Sequence, residues 1–352
     1  MDLPAPLAWL VDEAGFSPGP DRFVAELGGR LLADGLPLAG GALTLATPHP
    51  IIARRTWLWR AETGAVIEAL GFAGGPLSQP GRDWLAELGP VQEDTIGPAP
   101  DSPVLGWAGI RPFGPAEAGR LRQVARFAAA PLAALIARAA LAALLEAYLG
   151  RRSAARVQAG ALRRGTGETI RAALLCADLR GFTALSEATE PAAMIATLDA
   201  WFDRVAGAAH AFGGEVLKFI GDGVLAIFPV TGTPAEACEA ALRAVAAARA
   251  GMAHLDAVRQ AQGLPPLPFG AALHLGEMLW GNIGAADRLD FTAIGPAVNL
   301  VSRLEGLCRP LGRSVLISGA FAAETTTPLV PLGEHVLPGI AAPCTVFTLP
   351  DA

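Results

Sequence analysis

The second half of the chain alternates short apolar segments with longer helical ones, and this order limits the folds open to it. A capping box, Thr233-Pro234-Ala235-Glu236, with proline at the first helical position marks the start of one helix that continues to about Gln262. The full order is strand, helix, hairpin, helix, strand, which is the β-α-β-β-α-β arrangement of a ferredoxin-like core. The remaining predicted elements are the strand Thr169–Ala177, the helix Pro191–Phe212, the strand Phe269–Met278 and a last helix, Pro296–Cys308.

The hairpin in the middle of this order has the sequence GGEVLKFIGDGVLAIF, residues 213–228. Two apolar strands flank a Gly221-Asp222-Gly223 turn, which is a strong hairpin signal. Lys218 lies four residues before Asp222 and is the only lysine of the chain, beside 26 arginines. The rest of the chain uses arginine for its cations. A single retained lysine therefore indicates that its site needs a compact point charge, which a planar guanidinium cannot provide. The alternative is a lysine on a solvated strand face.

Composition excludes several classes of protein. A length of 352 residues suggests about two domains. The chain is 52% hydrophobic and 17% charged, which is too apolar for a disordered protein. A net charge of −6 without a basic cluster argues against nucleic-acid binding. The four cysteines are widely spaced, and Met1-Asp2-Leu3-Pro4 does not resemble a signal peptide, so we expect free thiols and a cytoplasmic location.

A long helix is predicted between the two halves, over Ala116–Arg152, with Pro131 as a point where it kinks or restarts. Its most apolar part, Phe127–Gly150, is interrupted by Arg138 and Glu146, and the longest uncharged run is 11 residues. That run is too short to cross a bilayer, so we expect no membrane span. Two roles stay open for the helix: a parallel dimeric signalling helix, or packing on its own N-terminal domain. Its periodic apolar residues are Leu132, Leu135, Ile136, Leu141, Leu144, Leu145 and Tyr148.

Residues 1–115 are rich in tryptophan and in Pro/Gly turns. A helix over Asp21–Ala33 and strands over Gly41–Thr47 and Arg55–Arg60 predict a small α+β unit, which looks like a sensor domain of the GAF or PAS type. Such a domain implies an unknown small-molecule or protein signal. Two tryptophans, Trp57 and Trp59, lie on one strand face near His49, where they either line a ligand pocket or pack in the core.

Three segments in order resemble the class III nucleotidyl cyclases. They are the lysine hairpin, the upstream Cys176–Thr183 (CADLRGFT) and the downstream Asp290–Leu304 (DFTAIGPAVNLVSRL). The resemblance covers about half of the chain. It implies an α+β ferredoxin-like catalytic domain at 169–352, which would follow the predicted sensor-like domain at 1–115 and the predicted signalling helix and connector at 116–168.

The resemblance implies a metal site at Asp178 and Asp222, with the backbone carbonyl of Leu179 as a further ligand. Two carboxylates from adjacent strands can share the pair of divalent cations that stabilises an in-line phosphoryl displacement. Mg²⁺ or Mn²⁺ suits such an oxygen-only site, with two ions per active site.

The resemblance also implies the residues that bind the nucleotide. The triphosphate would lie on the glycine turn after Asp178, where helix-start N–H groups favour anions. Lys218 and Thr292 would read the purine: an ammonium donor and a hydroxyl acceptor complement adenine, whereas guanine presents the opposite pattern. Asn299 and Arg303, four residues apart on one helix face, would position the ribose and stabilise the α-phosphate. The residues implied at the triphosphate are Leu179, Arg180, Gly181, Phe182, Thr183 and, less directly, Arg288.

Two positions depart from the family pattern. Many adenylyl cyclases have Asp where this chain has Thr292, although a subset has Thr or Ser there. Relatives also often carry a lysine beside the glycine that matches Gly339, in some cases in contact with phosphate, where this chain has Pro338 and Ile340. The sequence as a whole predicts an adenylate cyclase that converts ATP to 3′,5′-cyclic AMP and pyrophosphate. By resemblance it would act as a head-to-tail homodimer whose two sites are shared between subunits. The alternatives are a guanylate cyclase and a catalytically silent nucleotide-binding module.

Overall fold

The computed structural model describes residues 3–46, 52–72, 80–99, 101–161 and 163–351. The chain divides into two compact units, residues 1–144 and 145–352, and each unit is described by itself. His49 and Thr47 lie outside the described residues.

The N-terminal unit is built on a five-stranded antiparallel sheet. Its strands are β1 (Leu38–Ala46), β2 (Ile52–Arg60), β3 (Val66–Phe72), β4 (Val91–Thr95) and β5 (Val104–Gly109), in the order β3-β2-β1-β5-β4. Its helices are α1 (Ala5–Asp12), α2 (Pro20–Ala33), α3 (Pro80–Leu88) and most of α4 (Pro115–Leu149), with a short 3₁₀ turn at Ala14–Phe16. The mixed α+β character is as predicted, while the GAF or PAS assignment stays a prediction.

The two tryptophans of β2 belong to the core of this unit. Trp57 and Trp59 are both buried, and the Trp59 ring meets the Trp107 ring edge to face at 6.3 Å between centroids. Such aromatic pairs add to the stability gained by burial. Core packing, rather than an open pocket, is therefore their role in the described structure.

Helix α4 runs unbroken through Pro131. Its first two turns and middle pack in the core of the N-terminal unit through Leu121, Val124, Ala128, Leu132 and Leu135. Its later apolar residues Leu141, Leu144 and Tyr148 are exposed. By length and composition alone this helix could cross a membrane, which is weak evidence from one helix, so the absence of a span stays a prediction.

The C-terminal unit contains the predicted β-α-β-β-α-β core. Strand β6 (Gly167–Leu179) lies between β8 (Gly223–Pro229) and β9 (Phe269–Gly284), and β7 (Glu215–Ile220) forms the edge beyond β8. All of these pairs are antiparallel. The resulting order β9-β6-β8-β7 is the ferredoxin-like order, with α7 (Pro191–Ala211) and α8 (Pro234–Ala261) as the two crossover helices.

Further elements extend this core. Helix α5 (Arg151–Gln158) precedes β6, and α6 (Phe182–Ala188) follows it. Strand β10 (Leu289–Ile294) returns against the far end of β9, which is longer than predicted. Helix α9 (Pro296–Glu305) comes next, and then β11 (Val315–Ser318), α10 (Gly319–Ala322), β12 (Val330–His335) and β13 (Cys344–Thr348) widen the sheet beyond β9.

Alternation along β6 gives the sheet two buried faces. Ala173, Leu175 and Ala177 pack with α7 and α8, whereas Ala172 and Leu174 pack with α9. Successive side chains of a strand point to opposite faces, so the Asp178 side chain lies on the face that α9 covers.

The capping box at Thr233 is formed as predicted, and all four cysteines are free.

Candidate active site

Asp178 and Asp222 meet at one end of the sheet. Asp178 is the penultimate residue of β6, and its neighbour Ala177 pairs with Val224 at the start of β8. This register places Asp178 beside the turn that joins β7 to β8, where Gly221 adopts a left-handed conformation with φ of 63°. A side chain would strain that turn, which explains the Gly-Asp-Gly sequence around Asp222.

The charges of this pair favour a bound cation, because two neighbouring carboxylates repel each other unless a positive charge lies between them. The pKa of Asp178 is raised to about 8, first by burial, then by a hydrogen bond with the Asp222 carboxyl and its like charge, and then by the charge of Glu305. Its Oδ1 is buried and has no hydrogen-bond partner among the described residues. A buried carboxylate oxygen without a donor costs free energy unless a cation satisfies it.

The residues present therefore fit a divalent cation. Within the described part of the chain, no group of three His, Cys, Asp or Glu side chains could hold a metal by itself. Mg²⁺ commonly binds through one or two carboxylates and completes its shell with water and substrate phosphates. Two aspartates and an adjacent main-chain carbonyl agree with that mode.

A third carboxylate, which the sequence analysis did not single out, lies behind the pair. Glu305 ends α9 and is half-buried, and burial raises its pKa while the nearby Arg180 lowers it. The signal in the sequence that could have indicated Glu305 as a site residue is its position two residues after Arg303 on an amphipathic helix.

The glycine turn after Asp178 is formed, but one of its predicted donors is already used. Gly181, with φ of 73°, precedes the first residue of α6, and the Thr183 side chain is exposed. Arg180 instead points into the unit, where its guanidinium donates to the Arg313 carbonyl and its backbone N–H donates to the Pro268 carbonyl at 2.8 Å. Phe182 packs against the core. Of the predicted triphosphate residues on this turn, Gly181 and Thr183 are thus the accessible ones.

Lys218 forms an ion pair with Asp290, which the sequence analysis did not assign. A register shift between Val216 and Lys218 interrupts β7 there, and such bulges redirect side chains. On β10, Phe291 and Ala293 pack in the core, so alternation places Asp290 and Thr292 together on the other face. Thr292, the other predicted purine-reading residue, therefore shares a face of β10 with the ion-pair partner of Lys218.

Asn299, Arg303 and Arg288 are exposed. Among the described residues, no hydrogen bond or ion pair joins their side chains to Asp178 or Asp222. The single chain therefore brings together the two predicted metal ligands and pairs Lys218 with Asp290, but leaves the predicted transition-state residues open to solvent. Gly339 lies in a turn between β12 and β13, with φ of 78°.

The C-terminal unit is similar to known proteins. The family model described as the adenylate and guanylate cyclase catalytic domain matches residues 167–322. Adenylate cyclase 1 of Rhizobium meliloti (strain 1021) is 34% identical over 147 residues, which are 42% of this chain and 22% of that protein. The adenylate cyclase of Anabaena cylindrica is 32% identical over 168 residues, 47% of this chain and 32% of that protein.

The solved structure of a bacterial light-regulated adenylyl cyclase has the same fold. It aligns with a TM-score of 0.53 and 24% identity, over 63% of this chain and 65% of that one. The present chain spans about a fifth to a third of the length of the two curated relatives. Within the C-terminal unit, whose sheet order and aspartate pair are described above, residues 167–322 are similar to the catalytic domain of adenylate and guanylate cyclases.

Proposed function

We propose that this protein is an adenylate cyclase that converts ATP to 3′,5′-cyclic AMP and pyrophosphate. The observation that carries the proposal is the Asp178–Asp222 pair with its buried, unpartnered Oδ1 at the end of β6. In the reaction the ribose 3′-oxygen forms a bond to the α-phosphorus, the bond to the pyrophosphate oxygen breaks, and the hydroxyl proton is released.

Asp178, Asp222 and the Leu179 carbonyl would hold two Mg²⁺ or Mn²⁺ ions. When bound, such ions lower the pKa of the attacking hydroxyl and neutralise charge on the phosphate oxygens. The chain's own contribution is to fix the two carboxylates on rigid strands. The accessible glycine turn at Gly181 would accommodate the phosphates.

Adenine selection would come from Lys218 and Thr292. The Lys218 ammonium has three N–H donors and gives one to Asp290, which leaves donors for the N1 acceptor of adenine. The Thr292 hydroxyl would accept from the N6 amino group. This donor-acceptor pattern opposes guanine and supports the adenylate over the guanylate reaction.

We further propose that the active site is shared in a head-to-tail homodimer. The exposure of Asn299 and Arg303 supports this, because groups that stabilise a transition state act only when they reach the reacting phosphate. In the shared site, one subunit would supply Asp178 and Asp222, and the other Lys218, Thr292, Asn299 and Arg303. Arg303 would stabilise charge on the α-phosphate, and Asn299 would orient the ribose.

The direct test is to incubate the purified full chain with ATP or GTP and Mg²⁺ or Mn²⁺ and to measure the cyclic nucleotide formed. We expect cyclic AMP, with less than a tenth of wild-type activity for Asp178→Ala and Asp222→Ala. Cyclic GMP as the main product would favour the guanylate alternative. Absence of both products with intact nucleotide binding would favour the silent module.

A complementation experiment tests the shared site. Asp222→Ala and Arg303→Ala subunits are each expected to be inactive, and a mixture should regain activity because one of its two sites keeps every residue. A mixture that is shown to heterodimerise yet stays inactive would place each site within a single subunit.

A further inference from the structure

Helix α7 holds the turn that carries Asp222. Trp201 on this helix is 0% exposed, and its indole Nε1–H donates to the main-chain carbonyl of Asp222 at 2.8 Å. The bond is therefore made to the backbone of a proposed metal ligand and lies out of solvent. The N–H of a buried indole usually has a hydrogen-bond partner, and here that partner is the main-chain carbonyl of a proposed metal ligand.

The same indole also contacts the strand pair that carries the other aspartate. Its ring packs on Phe269 at 5.1 Å between centroids. Phe269 begins β9 and is the register partner of Leu179, the residue after Asp178. From one fully buried position, Trp201 thus binds the backbone of Asp222 and packs on the strand residue that pairs with the neighbour of Asp178.

The turn has little other support on its outer side. Ile220 is 63% exposed and Phe219 is 49% exposed, although the Phe219 ring contacts Phe202, the residue after Trp201, at 4.4 Å. Two consecutive residues of α7 therefore fix the turn, one through a hydrogen bond and one through a ring contact. The hydrogen bond is the directional part of this support.

We propose that Trp201 is a positioning residue that sets the separation of the Asp178 and Asp222 carboxylates and thereby the affinity of the site for its divalent cations. The inference rests on the proposed function in taking these aspartates as metal ligands. Divalent ions of the Mg²⁺ class require ligand distances near 2.1 Å, and functional groups must be held to within about 0.5 Å. A turn released from its anchor would not meet that demand.

The test compares Trp201→Phe with Trp280→Phe in the full chain. Trp280 is a matched control, because it is also buried in the C-terminal unit but its Nε1 has no hydrogen-bond partner among the described residues. Both variants lose similar ring volume, and only the first loses a hydrogen bond. The readout is the binding of Mn²⁺ in the absence of nucleotide, measured from the electron paramagnetic resonance signal of the free ion. Thermal unfolding is measured in parallel.

We expect Trp201→Phe to raise the Kd for Mn²⁺ by about 3- to 10-fold, the worth of one buried hydrogen bond. Trp280→Phe should leave that Kd within about twofold of wild type. In activity assays, Trp201→Phe should need more metal for half-maximal rate and recover most of kcat at saturating metal. If Trp201→Phe fails to fold, benzothienylalanine at position 201 removes the N–H and keeps the ring.

Wild-type Mn²⁺ affinity in the Trp201 variant, or an equal loss in the Trp280 control, would overturn the inference. An Asp178→Asn variant separates this result from a failure of the proposed function. If Asp178→Asn weakens Mn²⁺ binding and Trp201→Phe does not, only the role of Trp201 is refuted. If Asp178→Asn also leaves binding unchanged, the metal site itself is refuted, and the inference with it.

Discussion

Replacing Asp178 with Asn should stabilise the metal-free protein while abolishing its proposed activity. The carboxyl is half-buried beside Asp222 and near Glu305, and burial and these neighbours raise its pKa to about 8 from an ordinary value of 3.8. The folded state therefore disfavours the ionised form that the unfolded chain adopts at neutral pH. An isosteric amide removes that penalty.

The magnitude follows from the pKa difference. A shift of this size corresponds to about 4 kcal/mol at pH 7, as an upper limit. Asp178 is only partly buried, and solvent screening reduces the effect, so we expect the free energy of unfolding to rise by about 2–3 kcal/mol in Asp178→Asn. Because the pKa of Asp178 is higher in the folded protein than in the unfolded chain, this carboxyl lowers the free energy of unfolding above about pH 4, and the loss grows as the pH rises towards about 8. Below about pH 4 the carboxyl is protonated in both states and there is no loss. The gain should therefore vanish near pH 4.

The assay is urea unfolding of the full chain in the presence of a chelator at pH 4 to 8. Asp287→Asn, at an exposed position between β9 and β10, serves as the control and should change stability by less than about 0.5 kcal/mol. Adding Mn²⁺ should stabilise the wild type more than Asp178→Asn. A variant no more stable than wild type at pH 7, or a gain that is undiminished at pH 4, would refute the reasoning.

Three further predictions concern other residues of the C-terminal unit. Glu215 is 4% exposed and accepts the N–H groups of Arg152 (3.1 Å) and Ser153 (3.3 Å) at the start of α5, so Glu215→Ala should cost about 2–3 kcal/mol in urea unfolding. Glu215→Gln should recover most of it, and an equal loss in both would contradict the capping role. Lys218→Arg should lower kcat/KM for ATP at least about 10-fold with unchanged thermal stability, since a planar fork replaces a point charge; wild-type kinetics would show that Lys218 is only a surface cation. Burial lowers the pKa of His274 to about 4, so stability should fall as pH decreases from 6.5 towards 4, and His274→Gln should flatten that fall in a pH series of thermal unfolding.

Local sequence patterns predicted the core of the catalytic unit well. The Gly221-Asp222-Gly223 turn requires a left-handed glycine, and the structure has one there. The Thr233 capping box forms with both of its reciprocal hydrogen bonds. These features depend on neighbours within a few residues, so the sequence encodes them directly. The roles given to Asn299, Arg303 and Arg288 stay predictions, because their side chains are exposed and have no contact with the aspartate pair among the described residues.

Long-range pairing was beyond the sequence. Lys218 and Asp290 are 72 residues apart, and their ion pair arises only because a bulge in β7 and the return of β10 bring two strand faces together. The motif at Cys176–Thr183 did not predict that the Arg180 side chain turns inward, because the carbonyl that its guanidinium binds, that of Arg313, lies 133 residues away.

The sequence by itself determined which residues stand at the ends of strands and turns: Asp178, Lys218 and Asp222 follow from strand periodicity and turn chemistry. The tertiary structure decided the burial, the electrostatic neighbours and the hydrogen bonds of those residues. Burial under α9 and the approach of Glu305 raise the pKa of Asp178, and the buried indole of Trp201 fixes the carbonyl of Asp222. Both effects depend on distance and desolvation between segments far apart in the chain, which only folding brings together.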